Sequence, residues 1–128
     1  MAAVVASVVV DATEPELLAA FWCHVLGWAR LGVEPDGSVE IGAVGDPGVT
    51  ILFQPVAEPK LVKNRVHVNV RPSGVDQEEE LDRLLALGAR HVDVGQGDQT
   101  WVVLSDPEDN EFCLLRTRAD HRPAAAAT

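Results

Sequence analysis

The chain has 128 residues with 10 basic and 20 acidic side chains, so its formal net charge is −10. At 47% hydrophobic and 23% charged it reads as one globular domain rather than a disordered segment. A pI near 4.6 argues against nucleic acid or an anionic membrane as partner, because either polyanion is repelled, and the longest basic cluster, Lys60 to Arg65, holds only three cations.

The first ten residues are apolar but carry no basic side chain before Asp11. They match neither a secretory leader nor a span of about 20 apolar residues. Two cysteines, Cys23 and Cys113, make no disulfide framework, although spacing alone leaves one bridge open. The expectation is a cytoplasmic protein with free thiols.

In chain order, a β-branched run predicts a strand over 4–10. A helix follows over 15–26, N-capped by Thr13 with Pro15 in its first turn, and closes at Gly27, where a left-handed backbone suits glycine. Strands follow over 29–34, 38–44 and 49–55, joined by turns at Asp36-Gly37 and at Gly45 to Gly48. Residues 56–63 form a connector, with Pro59 inside it and Pro55 just before it. The pattern then repeats. A strand is predicted over 64–71, a helix over 75–87 after Ser73 with an acidic start at Glu78 to Glu80, and strands over 89–94, 99–105 and 110–116. Leu87-Gly88 echoes Leu26-Gly27, and Asp106-Pro107 echoes Asp46-Pro47. From Thr117 on, a frayed tail is expected.

Alternation along 65–71 places Arg65, His67, Asn69 and Arg71 on one face and Val66, Val68 and Val70 on the other. The valines belong against the helices. Pairing the halves through their Asp-Pro turns sets Thr50, Leu52 and Gln54 opposite Glu111, Cys113 and Leu115. Val49, Ile51, Phe53, Phe112 and Leu114 then fall to the core. The polar face mixes Leu52, Leu115, Trp101 and Val103 with Gln54, His67, Asn69, Glu111 and Cys113. A mostly apolar surface with a few polar groups suits a small-molecule site. Trp22 fits the core or a dimer contact, and His24, His91 and His121 are expected to be solvated.

With AAFWCHVLGW in the first half and NRVHVNV and WVVLSDPEDNEFCLL in the second, the chain resembles the vicinal oxygen chelate superfamily, in its glyoxalase-like branch near the bleomycin-resistance proteins. The resemblance covers about residues 5–116. It implies an α+β fold in which two βαβββ modules form a curved mixed β-sheet with helices on the outer face, and a homodimer.

Metal-dependent members of that superfamily hold a divalent ion through the first and last strands of each module. Carried over position by position, the second module offers His67 but has Cys113 where a glutamate is usual. The first offers Ser7 (Ala6 if the gap moves) and Leu52. One ligand of four survives, whereas a stable site needs at least three protein donors. Glu111 shares the face of Cys113 but sits roughly 6–7 Å along the strand. No cofactor is therefore expected, and zinc, nickel or manganese is the alternative, with His67 its ligand.

Two functional readings follow. In the first, the protein binds a small molecule, cationic or aromatic, without a complete metal site, through Gln54, His67, Asn69, Arg71, Trp101, Glu111 and Cys113. The net charge favours a cation and Arg65 and Arg71 an anion, so the sequence leaves the ligand's sign open. In the second, it is a glyoxalase-type lyase, isomerase or epimerase with His67 as catalytic base or metal ligand.

Overall fold

A computed structural model describes residues 1–45, 47–95, 97 and 99–121. The chain divides into two compact units, Met1–Leu61 and Val62–Thr128. In the first, β1 (Ser7–Ala12) leads into α1 (Pro15–Leu26), then β2 (Ala29–Val33), β3 (Val39–Gly42) and β4 (Thr50–Pro55). The sheet order is β1-β4-β3-β2, parallel between β1 and β4 and antiparallel elsewhere. Two parallel neighbours cannot be joined by a tight turn, so the chain must cross over before it returns, and α1 lies in that crossover.

Helix α1 exists because Leu18, Phe21, Trp22 and Val25 recur at helical spacing and all are buried. That stripe packs on β3 and β4, where Val39, Ile41, Ile51 and Phe53 complete the core. Burying each large side chain contributes about 1.5–3 kcal/mol. Phe21 and Trp22 meet edge to face, ring centroids 5.5 Å apart, which makes Trp22 a core residue. The helix stops at Gly27, in the left-handed region at φ 66°.

The second unit repeats the order with shorter pieces. β5 (Val68–Val70) is followed by α2 (Gln77–Leu87), β6 (Arg90–His91), β7 (Val102–Ser105) and β8 (Glu111–Leu114), in sheet order β5-β8-β7-β6. Again the first and last strands pair in parallel. Leu84 of α2 is wholly buried, as are Leu104, Phe112 and Leu114. Gln77 Nε2 donates to the carbonyls of Thr100 and Leu114, tying the start of α2 to the end of β8. Both units are thus βαβββ modules of an α+β fold. Among the described residues, no helix is long and apolar enough to cross a membrane.

The structure corrects several local expectations. The first strand spans 7–12 rather than 4–10, because only from Ser7 onward does β4 supply a pairing partner. Helix α1 is capped at Glu14 rather than Thr13, with no side-chain cap bond. Helix α2 starts later than Ser73, since Asp76 caps it by accepting the Glu79 amide at 2.9 Å. The predicted strand 64–71 shrinks to three paired residues, and Val66, expected in the core, is 81% exposed. Val49 is likewise exposed, one residue before β4 begins. Glu80, read as part of a helix-start charge run, is buried and closes a two-pronged pair on Arg83. Asp46, within the expected turn 45–48, lies outside the described residues, as do 122–128 of the tail. The tail's described part forms a short turn, Ala119–His121. There Arg118 binds Asp120 and holds its carboxyl well below the usual carboxylate range.

The tightest local structure is the β7–β8 turn. Asp106, fully buried, accepts the Glu108 and Asn110 amides with Oδ1 and the Asn110 side-chain amide with both oxygens. Asp109 then turns through φ 67°, a left-handed conformation that aspartate tolerates, and pairs with Arg90 at 2.6 Å. Asp106→Ala would strand two backbone donors and release Asn110. It should lower unfolding free energy by about 2–4 kcal/mol in urea denaturation, with Asp106→Asn intermediate.

Candidate functional site

The parallel register of β5 on β8 and the antiparallel register of β8 on β7 define rows of side chains across the second sheet. Val68, Phe112 and Leu104 form one row, and Val70, Leu114 and Val102 another. Leu104, Phe112 and Leu114 of these rows lie in the core, whereas Val68, expected there, is 37% exposed on the edge strand. Between the two rows runs Asn69–Cys113–Val103, on the opposite face, with the Glu111–Ser105 pair one strand repeat away. Asn69 is exposed and Cys113 buried, because β8 is flanked on both sides whereas β5 is an edge strand.

Of the residues singled out in the sequence, this brings Asn69 and Cys113 together as direct neighbours. His67 precedes the paired part of β5 and is exposed. Trp101 precedes β7 with 37% of its surface exposed. Arg71 follows β5, and its Nη1 donates to the Thr117 carbonyl at 3.1 Å. Gln54 belongs to the other unit, where it is exposed beside Asp11 in the β1–β4 register. Glu111 has a structural partner that spacing could not show: its Oε1 accepts the backbone amide of Asn64 at 2.8 Å.

Burial pushes the Cys113 thiol up from its ordinary value, and nearby Lys63 offsets this only in part. Cys113 is therefore a neutral thiol at neutral pH, unlike the exposed, cation-activated thiolates that act as nucleophiles. Both cysteines are free.

In the first unit the corresponding face carries Ser7 beside Thr50, and Val9, Leu52 and Glu40 in one row. Ser7 and Leu52, the two positions carried over from the superfamily, thus sit in different rows. Half-buried Glu40 escaped the sequence reading, although its Oε2 accepts the Thr50 hydroxyl at 2.8 Å beside Leu52. The signal was present as a lone acid between Val39 and Ile41. Recognising it required the β3–β4 register.

Among the described residues, no group of three His, Cys, Asp or Glu is placed to hold a divalent ion. Leu52 offers no donor atom, and one Glu111 oxygen already serves a backbone amide.

Two βαβββ units, each closed by parallel pairing of its first and last strands, define the fold of the vicinal oxygen chelate superfamily. The family model described as Glyoxalase-like domain matches residues 7–115, and the chain belongs to that family. Solved structures share the fold. One is a point mutant of a genomically encoded fosfomycin resistance protein, FosX, from Listeria monocytogenes, complexed with Mn(II) and 1S,2S-dihydroxypropylphosphonic acid. It has a TM-score of 0.66 at 14% identity, over 95% of this chain and 96% of that one. Another is a glyoxalase/bleomycin resistance protein/dioxygenase family enzyme from Burkholderia phytofirmans PsJN, with a TM-score of 0.62 at 20% identity, over 88% of this chain and 97% of that one. No curated protein matches the sequence.

The state of Cys113 is directly measurable. In a Cys23→Ser variant it should react with an aromatic disulfide reagent at pH 7.5 at least about tenfold more slowly in the folded protein than in urea. Labelling at the unfolded rate would show an accessible thiol and contradict its assignment as a buried neutral group.

Proposed function

We propose that the protein binds a small molecule in the manner of the bleomycin-resistance branch, without a complete metal site. The observation that carries this reading is the Asn69–Cys113–Val103 row. Where the superfamily resemblance puts a metal-holding carboxylate, this chain has a buried neutral thiol between an amide and a valine. Such a surface binds by apolar contact and hydrogen bonding, which need no metal.

The residues divide the work by their chemistry. The Asn69 amide donates and accepts, and so orients a carbonyl or hydroxyl of the ligand. Trp101 offers a planar face on which an aromatic group stacks. His67, exposed beside Asn69, is the polar anchor. Cys113 and Val103 form the apolar floor between them. Binding of this kind does not call on the Mn(II) that the FosX structure contains, and among the described residues no group of three His, Cys, Asp or Glu is placed to hold an ion. In this reading the protein is a cytoplasmic homodimer, the commonest closed assembly.

Three measurements test the proposal. In a thermal-shift screen of antibiotics and metabolites, at least one cationic or aromatic compound should raise the melting temperature and quench tryptophan fluorescence. Its affinity should stay within about twofold when EDTA replaces added manganese. Asn69→Ala should weaken it by about 5- to 30-fold, corresponding to about 1–2 kcal/mol for a lost hydrogen bond. A screen without hits removes the support for this reading. Stoichiometric zinc, nickel or manganese that co-purifies and is lost in His67→Ala replaces it with the glyoxalase-type enzyme.

A further inference from the structure

Asn69 stands on a strand of only three paired residues at the edge of its sheet, and His67 immediately precedes it. So short an edge strand needs a separate anchor to hold the residues leading into it. The structure supplies one at Asn64. Its backbone amide donates to Glu111 Oε1 at 2.8 Å, and its side-chain amide donates to Asn110 Oδ1 at 2.9 Å. Its carbonyl lies 3.4 Å from the Lys63 ammonium. Asn110, in turn, is held by the fully buried Asp106 through its backbone and side-chain amides.

From this geometry we propose that Asn64 and Glu111 are positioning residues. They clasp the entry of β5 to the rigid β7–β8 turn, and so set His67 and Asn69 against β8. Glu111 acts through Asn64 and not by touching the ligand. The proposal rests on the reading of this face as the binding site, yet it makes its own structural claim.

The clasp has two bonds that can be removed separately. Asn64→Ala deletes the side-chain bond to Asn110 but keeps the backbone donor. Glu111→Ala deletes the acceptor for that donor, while Glu111→Gln keeps an acceptor oxygen and loses only the charge. The primary readout needs no ligand: the histidine ring and asparagine side-chain resonances of His67 and Asn69, with hydrogen exchange at the Asn64 amide. Methyl resonances of Leu84, Leu104 and Leu114, in the core of the same unit, report in the same spectra that each variant is folded.

Asn64→Ala and Glu111→Ala should each shift the His67 and Asn69 resonances, and Glu111→Ala should speed Asn64 amide exchange at least roughly tenfold. Glu111→Gln should restore both. With a ligand from the screen, affinity should fall roughly tenfold in either alanine variant, less than additively in the double variant, and return to within about twofold in Glu111→Gln.

Unchanged His67 and Asn69 resonances in both alanine variants would overturn the clasp whatever the ligand screen returns. So would Glu111→Gln losing affinity as Glu111→Ala does while those resonances stay in place, because Glu111 would then contact the ligand itself. A failed screen combined with shifted resonances keeps the clasp and removes only the binding function.

Discussion

In each unit, everything else follows from the parallel pairing of the first strand with the last. That pairing puts β4 and β8 inside their sheets, between a parallel neighbour and an antiparallel one. An interior strand has no free edge, and both its faces tend to be covered. Ile51 and Phe53 on β4, and Phe112 and Leu114 on β8, are accordingly buried, and so is Cys113 on the opposite face of β8. The thiol's neutrality is a direct consequence of topology, since burial is what raises it.

The second unit has little regular structure to spare. β5 and β6 contribute three and two residues, so fewer ladder bonds hold its edges. The buried Asp106 compensates by organising the β7–β8 turn from within, and side chains of that turn and its flank reach out to both edges. Asp109 pairs with Arg90 at the start of β6, and Asn110 and Glu111 hold Asn64 ahead of β5. One short turn and its flank therefore make contacts at both margins of the sheet.

The same economy changes how the cations are read. Arg65 and Arg71 suggested that the binding face attracts anions despite the acidic chain. Arg71, however, donates to the Thr117 carbonyl, and Lys63 lies against the Asn64 carbonyl. Side chains committed to backbone oxygens shape the chain ends as much as they advertise charge. In the proposed binding reading, recognition falls to Asn69, Trp101 and the apolar floor rather than to net charge.

The sequence by itself determined what is local. Apolar spacing in 18–25 specifies a helix with one buried side, Gly27 and Gly88 mark both helix ends, and alternation along Ile51 to Gln54 and Glu111 to Leu115 puts Ile51, Phe53, Phe112 and Leu114 in the core. Two copies of that order were enough to reveal the modules and the family. Only the tertiary structure decided which residues stand side by side. Strand ends depend on where a partner is available, which is why β5 stops short of His67 and Val66 is exposed. Row membership depends on register, which is why Asn69 neighbours Cys113 and Glu40 lies beside Leu52. Glu111 looked like a ligand group from its spacing to Cys113. Folding also brings Asn64, 47 positions away, to its carboxylate. A hydrogen bond between residues so far apart in the chain leaves no periodic trace in the sequence.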